Sequence, residues 1–126
     1  MKQQQLAEQM LSMLTQRITG GNFEPVINYR NAAAMIGWTG GMKFAQAVGQ
    51  VNSRVDYACF VAGMPMLATF YIRTADGRVN PDIFAGYTSG AGDDFFGLNT
   101  EIKNKMESHE WTAEGFKKVA VGLRNQ

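Results

Sequence analysis

The residues with chemistry to offer are few and concentrated after position 80. GYTSGAGDDFFG (86–97) is a glycine-rich loop that carries Asp93. Glycines ahead of a helix let backbone amides approach phosphate, and a carboxylate beside them can act as a base. Pro81-Asp82 followed by Glu101-Ile102-Lys103 is a second arrangement. Two carboxylates can hold a divalent cation while a lysine assists the attacking water. His109, in GluSerHisGlu, is the only histidine, and Cys59 is the only cysteine. One histidine cannot support a Ser-His-Asp arrangement, and the chain has no Cys/His cluster for zinc.

Each arrangement has an ordinary structural reading. GlyAlaGlyAsp (90–93) resembles a signature of ribokinase-type sugar kinases, and that resemblance makes Asp93 the base. Those enzymes are more than twice as long, and no Walker-type GKS or GKT occurs here. The loop then reads as acidic side chains before a helix, with Phe95 and Phe96 tying its end to the core. Asp82, Glu101 and Lys103 match the spacing of PD-(D/E)xK nucleases, but Glu101 and Lys103 fall in a helix-like segment where that motif needs a strand. Adjacent residues on a helix do not face one way, so His109 reads as a surface histidine. Cys59 lies in the apolar run ACFVAG and reads as a buried, inert thiol. The expectation is no catalytic centre, no metal and no cofactor.

The elements that would position a binding surface are easier to read. Leu6, Met10, Met13, Leu14 and Ile18 share one face of a helix over residues 3–18, which Gly20 and Gly21 end. Asn28 caps a short helix from about Tyr29 to Ile36, closed by Gly37. After the turn at 38–41, a long helix from about Met42 to Gly63 carries Phe44, Val48, Val51, Val55, Cys59 and Ala62 in one stripe. A break near Asn52-Ser53 is an alternative. Met66, Ala68, Phe70 and Ile72 then alternate with their neighbours as in a strand. AlaAspGly (75–77) reads as a turn and residues 78–84 as the returning strand, with Pro81 marking an edge. Two further helices are expected at 99–108 and at 112–124, the last opened by Thr112 with Glu114.

Helix, short helix, tight turn, long helix, hairpin is the order of a winged helix-turn-helix. The expected fold is therefore α+β: a winged-helix-like centre with added terminal helices, in a single domain spanning 1–126. A hydrophobic content of 45% against 18% charged residues suits such a globular chain. No signal-peptide pattern, no apolar run of membrane-span length and only one cysteine lead to an expected cytoplasmic location.

Residues 29–49 resemble the helix pair of the alkylguanine-DNA alkyltransferase family. The matching residues are Tyr29, Ala33, Ile36 and Gly37, then Phe44, Ala45, Ala47, Val48 and Gly49, about a sixth of the chain. The catalytic Pro-Cys-His-Arg of that family is missing: Cys59 stands in TyrAlaCysPhe. The resemblance implies a scaffold that faces DNA, without alkyl transfer.

Charge supports an anionic partner for the middle of the chain. The net charge is +1 overall, but residues 25–80 carry five basic side chains against Asp56 and Asp76, a net of +3. The DNA-binding set expected on this scaffold is Arg30, Lys43, Gln46, Gln50, Asn52, Ser53, Arg54, Arg73 and Arg78. Lys and Arg would meet phosphate, while Gln and Asn would read base edges. The expected function is that of a non-catalytic DNA-binding or DNA-associated accessory protein. The alternative is a protein-binding inhibitor or adaptor of a nucleic-acid machine, recognisable by an exposed apolar patch. A third reading is a small phosphate- or metal-dependent enzyme built on Asp93, or on Asp82 with Glu101.

Overall fold

A computed structural model describes residues 2–24, 26–38, 40, 43–73 and 104–126. These residues are mostly helical. The elements are α1 (Lys2–Thr19), β1 (Val26–Ile27), α2 (Tyr29–Met35), α3 (Phe44–Val61), α4 (Leu67–Tyr71), β2 (Ile72–Arg73) and α5 (Ala113–Arg124), with a helical segment at 104–108 before α5.

Local sequence explains most of the boundaries. α1, α2 and α3 all end in the same hydrogen-bonded C-terminal turn. Asn22, Trp38 and Met64 donate their backbone N–H to Arg17, Ala33 and Cys59 carbonyls, at 2.8–2.9 Å. The residue before each is a glycine in the left-handed region: Gly21 (φ 73°), Gly37 (φ 79°) and Gly63 (φ 74°). A side chain there would meet the following carbonyl, so glycine fixes the stop. At the other ends, the Asn28 side chain accepts from the Asn31 N–H at 2.9 Å, and the Thr112 hydroxyl accepts from the Gly115 N–H at 3.0 Å. Each satisfies an amide that the first helical turn leaves without a partner.

α3 is the central element and packs against α1, α2, α4 and α5. It runs unbroken through Asn52-Ser53. Val48, Val51, Val55, Ala58 and Cys59 are buried on it, facing Met10, Leu14 and Ile18 of α1 and Val119 and Leu123 of α5 in one core. Gly122 of α5 brings the two helices close, since a Cβ there would lie 3.8 Å from that of Ala58.

The α+β, winged-helix expectation is corrected by residues 66–73. Instead of the first strand of a hairpin, residues 67–71 form α4, and all five are buried. Alternation signals a strand only when one face meets water; a segment buried on every side carries no such signal. The cause of the helix is tertiary. Asp56 of α3 accepts from the Ala68 and Thr69 N–H groups at 2.9 and 3.3 Å, capping α4 from twelve residues away. β2 then pairs in parallel with β1, Val26 opposite Ile72 and Ile27 opposite Arg73. A two-stranded wing is not seen among the described residues. The expected turn at 75–77 and returning strand at 78–84 lie outside them.

Candidate functional site

The long helix presents two surfaces to solvent, set by its 3.6-residue period. Lys43, Gln46, Gln50, Ser53, Tyr57 and Phe60 follow one another at steps of three and four, and all six are exposed. Toward the C-terminal end this stripe becomes apolar: Tyr57, Phe60 and Val61 are 61%, 66% and 63% exposed. Beyond Phe60 it opens on a cleft of about 480 Å³ lined by Gly63, Met64, Pro65 and Met66 on one side and Lys105 and His109 on the other. From Gln46 to Val61 the outward stripe bears no charge.

The expected DNA-contact residues fall in different places. Gln46, Gln50 and Ser53 share the outward face of α3, with Lys43 at its N-terminus. Arg30 is exposed on α2, its guanidinium 5.0 Å from the centre of the Phe44 ring, a cation–π distance. Arg54 points the other way. It is half-buried and donates to Gln3 Oε1 (3.1 Å), Gln4 Oε1 (2.5 Å) and Gln126 Oε1 (3.4 Å). Gln126 in turn donates to the Arg54 carbonyl at 2.8 Å. The guanidinium clasps the start of α1 to the end of the chain, which engages the donors that phosphate would need. Asn52 is buried, 9% exposed, and turned from the outward stripe. Arg73 ends β2, and Arg78 lies outside the described residues, as do Asp82, Asp93 and Glu101.

Between α2, α3 and α4 lies a second cavity, of about 400 Å³. Sequence reasoning did not find it. Asp56 and Asn52 stand in its wall, with Tyr29, Gly49, Ser53 and Thr69. Besides capping α4, the Asp56 carboxylate accepts from the Thr69 hydroxyl at 2.6 Å. Those three hydrogen bonds favour the anion, but burial outweighs them and lifts the Asp56 pKa from 3.8 to about 6. The Asn52 Oδ1 atom is buried without a hydrogen-bond partner. The one available signal was that Asn52 and Asp56 stand four residues apart, one position from the apolar stripe of Val51 and Val55.

The remaining titratable candidates are structural. Cys59 is fully buried, and burial next to the Asp56 carboxylate pushes its thiol up to about 12. Tyr71 donates to the Asn22 carbonyl at 2.6 Å, and burial pushes its phenol up to about 12. His109 lies edge-on to Trp111, whose ring stacks on Phe116. Among the described residues no group of three His, Cys, Asp or Glu side chains is placed to hold a metal ion. No helix of the described residues is long and apolar enough to cross a membrane. No protein-family model, curated protein or solved structure matches the chain.

Proposed function

We propose that the chain is a non-catalytic protein-binding module, whose partner lays apolar side chains across the C-terminal half of α3. The observation that carries this reading is the exposure of Tyr57, Phe60 and Val61, each above 60%, within little more than one helical turn. Interface centres are depleted of charge and enriched in aromatic residues and methionine. Tyr57, Phe60 and Val61, with the Met64–Met66 wall of the adjoining cleft, have that composition. Duplex DNA asks for the opposite, a surface of Lys and Arg along the helix that meets it. The outward face of α3 offers Lys43 alone, at its end, with Arg30 nearby on α2.

The test places a photo-crosslinking phenylalanine analogue at Tyr57, identifies the captured protein, and titrates it in purified form against wild type and Phe60→Glu. A buried aromatic anchor is worth about 2 kcal/mol or more at a hot spot, so Phe60→Glu should weaken binding by at least about thirtyfold. Its melting temperature should stay near that of wild type, because Phe60 is exposed. In parallel, binding to a random-sequence duplex is read by anisotropy at about 50 and about 200 mM salt. Duplex binding that collapses at the higher salt and ignores Phe60→Glu would overturn the proposal in favour of the DNA-associated reading.

A further inference from the structure

The cavity between α2, α3 and α4 has features that internal packing does not require. Gly49 sits inside α3 with φ in the ordinary helical region, and nothing lies within 4 Å of where its Cβ would be. A glycine inside a helix costs about 0.5–1 kcal/mol relative to alanine. Here neither a turn nor a close helix approach asks for one. What the missing side chain does is widen the cavity.

The wall beside it holds acceptor capacity that its hydrogen bonds leave partly unused. Ionised Asp56 offers about four lone-pair positions across its two oxygens, and α4 and Thr69 occupy three of them. Among the described residues, no Lys, Arg or His lines the cavity. Asn52, one helical turn earlier on the same side, adds an amide oxygen with no partner. Residues four apart on a helix are neighbours, about 5–6 Å between Cβ atoms. A buried carboxylate with no cation beside it among the described residues, and a buried carbonyl without a donor, are each costly. Both are relieved by the same kind of guest.

We infer that this cavity is a binding site for a small organic cation carrying two or more N–H donors, of the guanidinium or alkylammonium class, held by Asp56 and Asn52. Its volume of about 400 Å³ suits a small molecule. Gln46, Gln50 and Ser53 at the mouth add neutral polar groups that can orient the rest of the ligand. The assignment rests on the cavity's own residues and not on the protein-docking reading, although Gln46, Gln50 and Ser53 border both surfaces.

The test is a titration of the full chain with methylguanidinium chloride from micromolar to millimolar, followed by amide chemical shifts at constant ionic strength. Urea, similar in shape and donors but neutral, is the control. Saturable shifts centred on residues 49–56 and 68–69, with urea at least about tenfold weaker, are the expected result. Asp56→Asn should lose that preference by about tenfold or more. Gly49→Met fills the cavity from the solvent side and should abolish the shifts while leaving the fold intact. Non-saturating shifts, equal response to urea, or binding that persists in Gly49→Met would each overturn the assignment. Should Asp56→Asn fail to fold, the Gly49→Met result decides alone.

Discussion

Asp56 should make the protein less stable as pH rises through the weakly acidic range, opposite to the behaviour of a salt-bridged carboxylate. Its pKa is raised from 3.8 to about 6 by burial. Between those values the folded state binds more protons than the unfolded one, so unfolding free energy falls with rising pH. The stabilisation is fully present below about pH 4 and gone above about pH 6 to 7. At 1.36 kcal/mol per unit, the whole step is about 3 kcal/mol. Asp56→Asn isolates it. The amide oxygen still accepts from the Ala68 and Thr69 N–H groups, and its nitrogen donates to the Thr69 hydroxyl, but nothing ionises. The assay is urea denaturation followed by circular dichroism from pH 4 to 7.5 on both proteins. The neighbouring Cys59 does not confuse the difference, since burial pushes its thiol up to about 12. Wild type should lose about 2–2.5 kcal/mol of that step relative to the variant between pH 4 and 7. Parallel curves would refute the reasoning, since they would mean that Asp56 ionises as freely folded as unfolded.

Three shorter expectations accompany it. Arg54→Ala removes the clasp between Gln3, Gln4 and Gln126 and should cost about 1–2 kcal/mol in chemical denaturation, discounted for its partial exposure. Gly49→Ala should stabilise by about 0.5–1 kcal/mol, read as a raised melting temperature, because α3 has open space there. Cys59 should resist a thiol reagent at pH 8 until the protein is unfolded, since it is buried and its thiol is held at about 12.

What the sequence revealed was what acts over short distances. Gly21, Gly37, Gly63, Asn28 and Thr112 work through bonds spanning three to five residues, and each marks its helix end in the sequence as in the structure. The apolar stripes of α1 and α3 were legible because each helix faces the core on one side. α4 was not, because its cap comes from Asp56 and its five residues are buried all round. The cavity was missed for a related reason. Nothing local distinguishes Asn52, which is buried beside α4, from Gln50, which faces water; the difference depends on what packs on that side of the helix. Arg54 likewise reads as a surface cation until the glutamines at both ends of the chain arrive around it.

The capping of α4 by a side chain of α3 also bears on how the molecule comes apart. Five residues are too few to form a helix in isolation, where nucleation alone is unfavourable. α4 is thus stable only while Asp56 is in place, and Asp56 is in place only while α3 is packed. Fraying at 67–71 would remove the five buried side chains that α4 packs against the core and its contact with α3. The two helices therefore belong to one cooperative unit. The amides of Ala68 and Thr69 should exchange with solvent only through openings that also release α3.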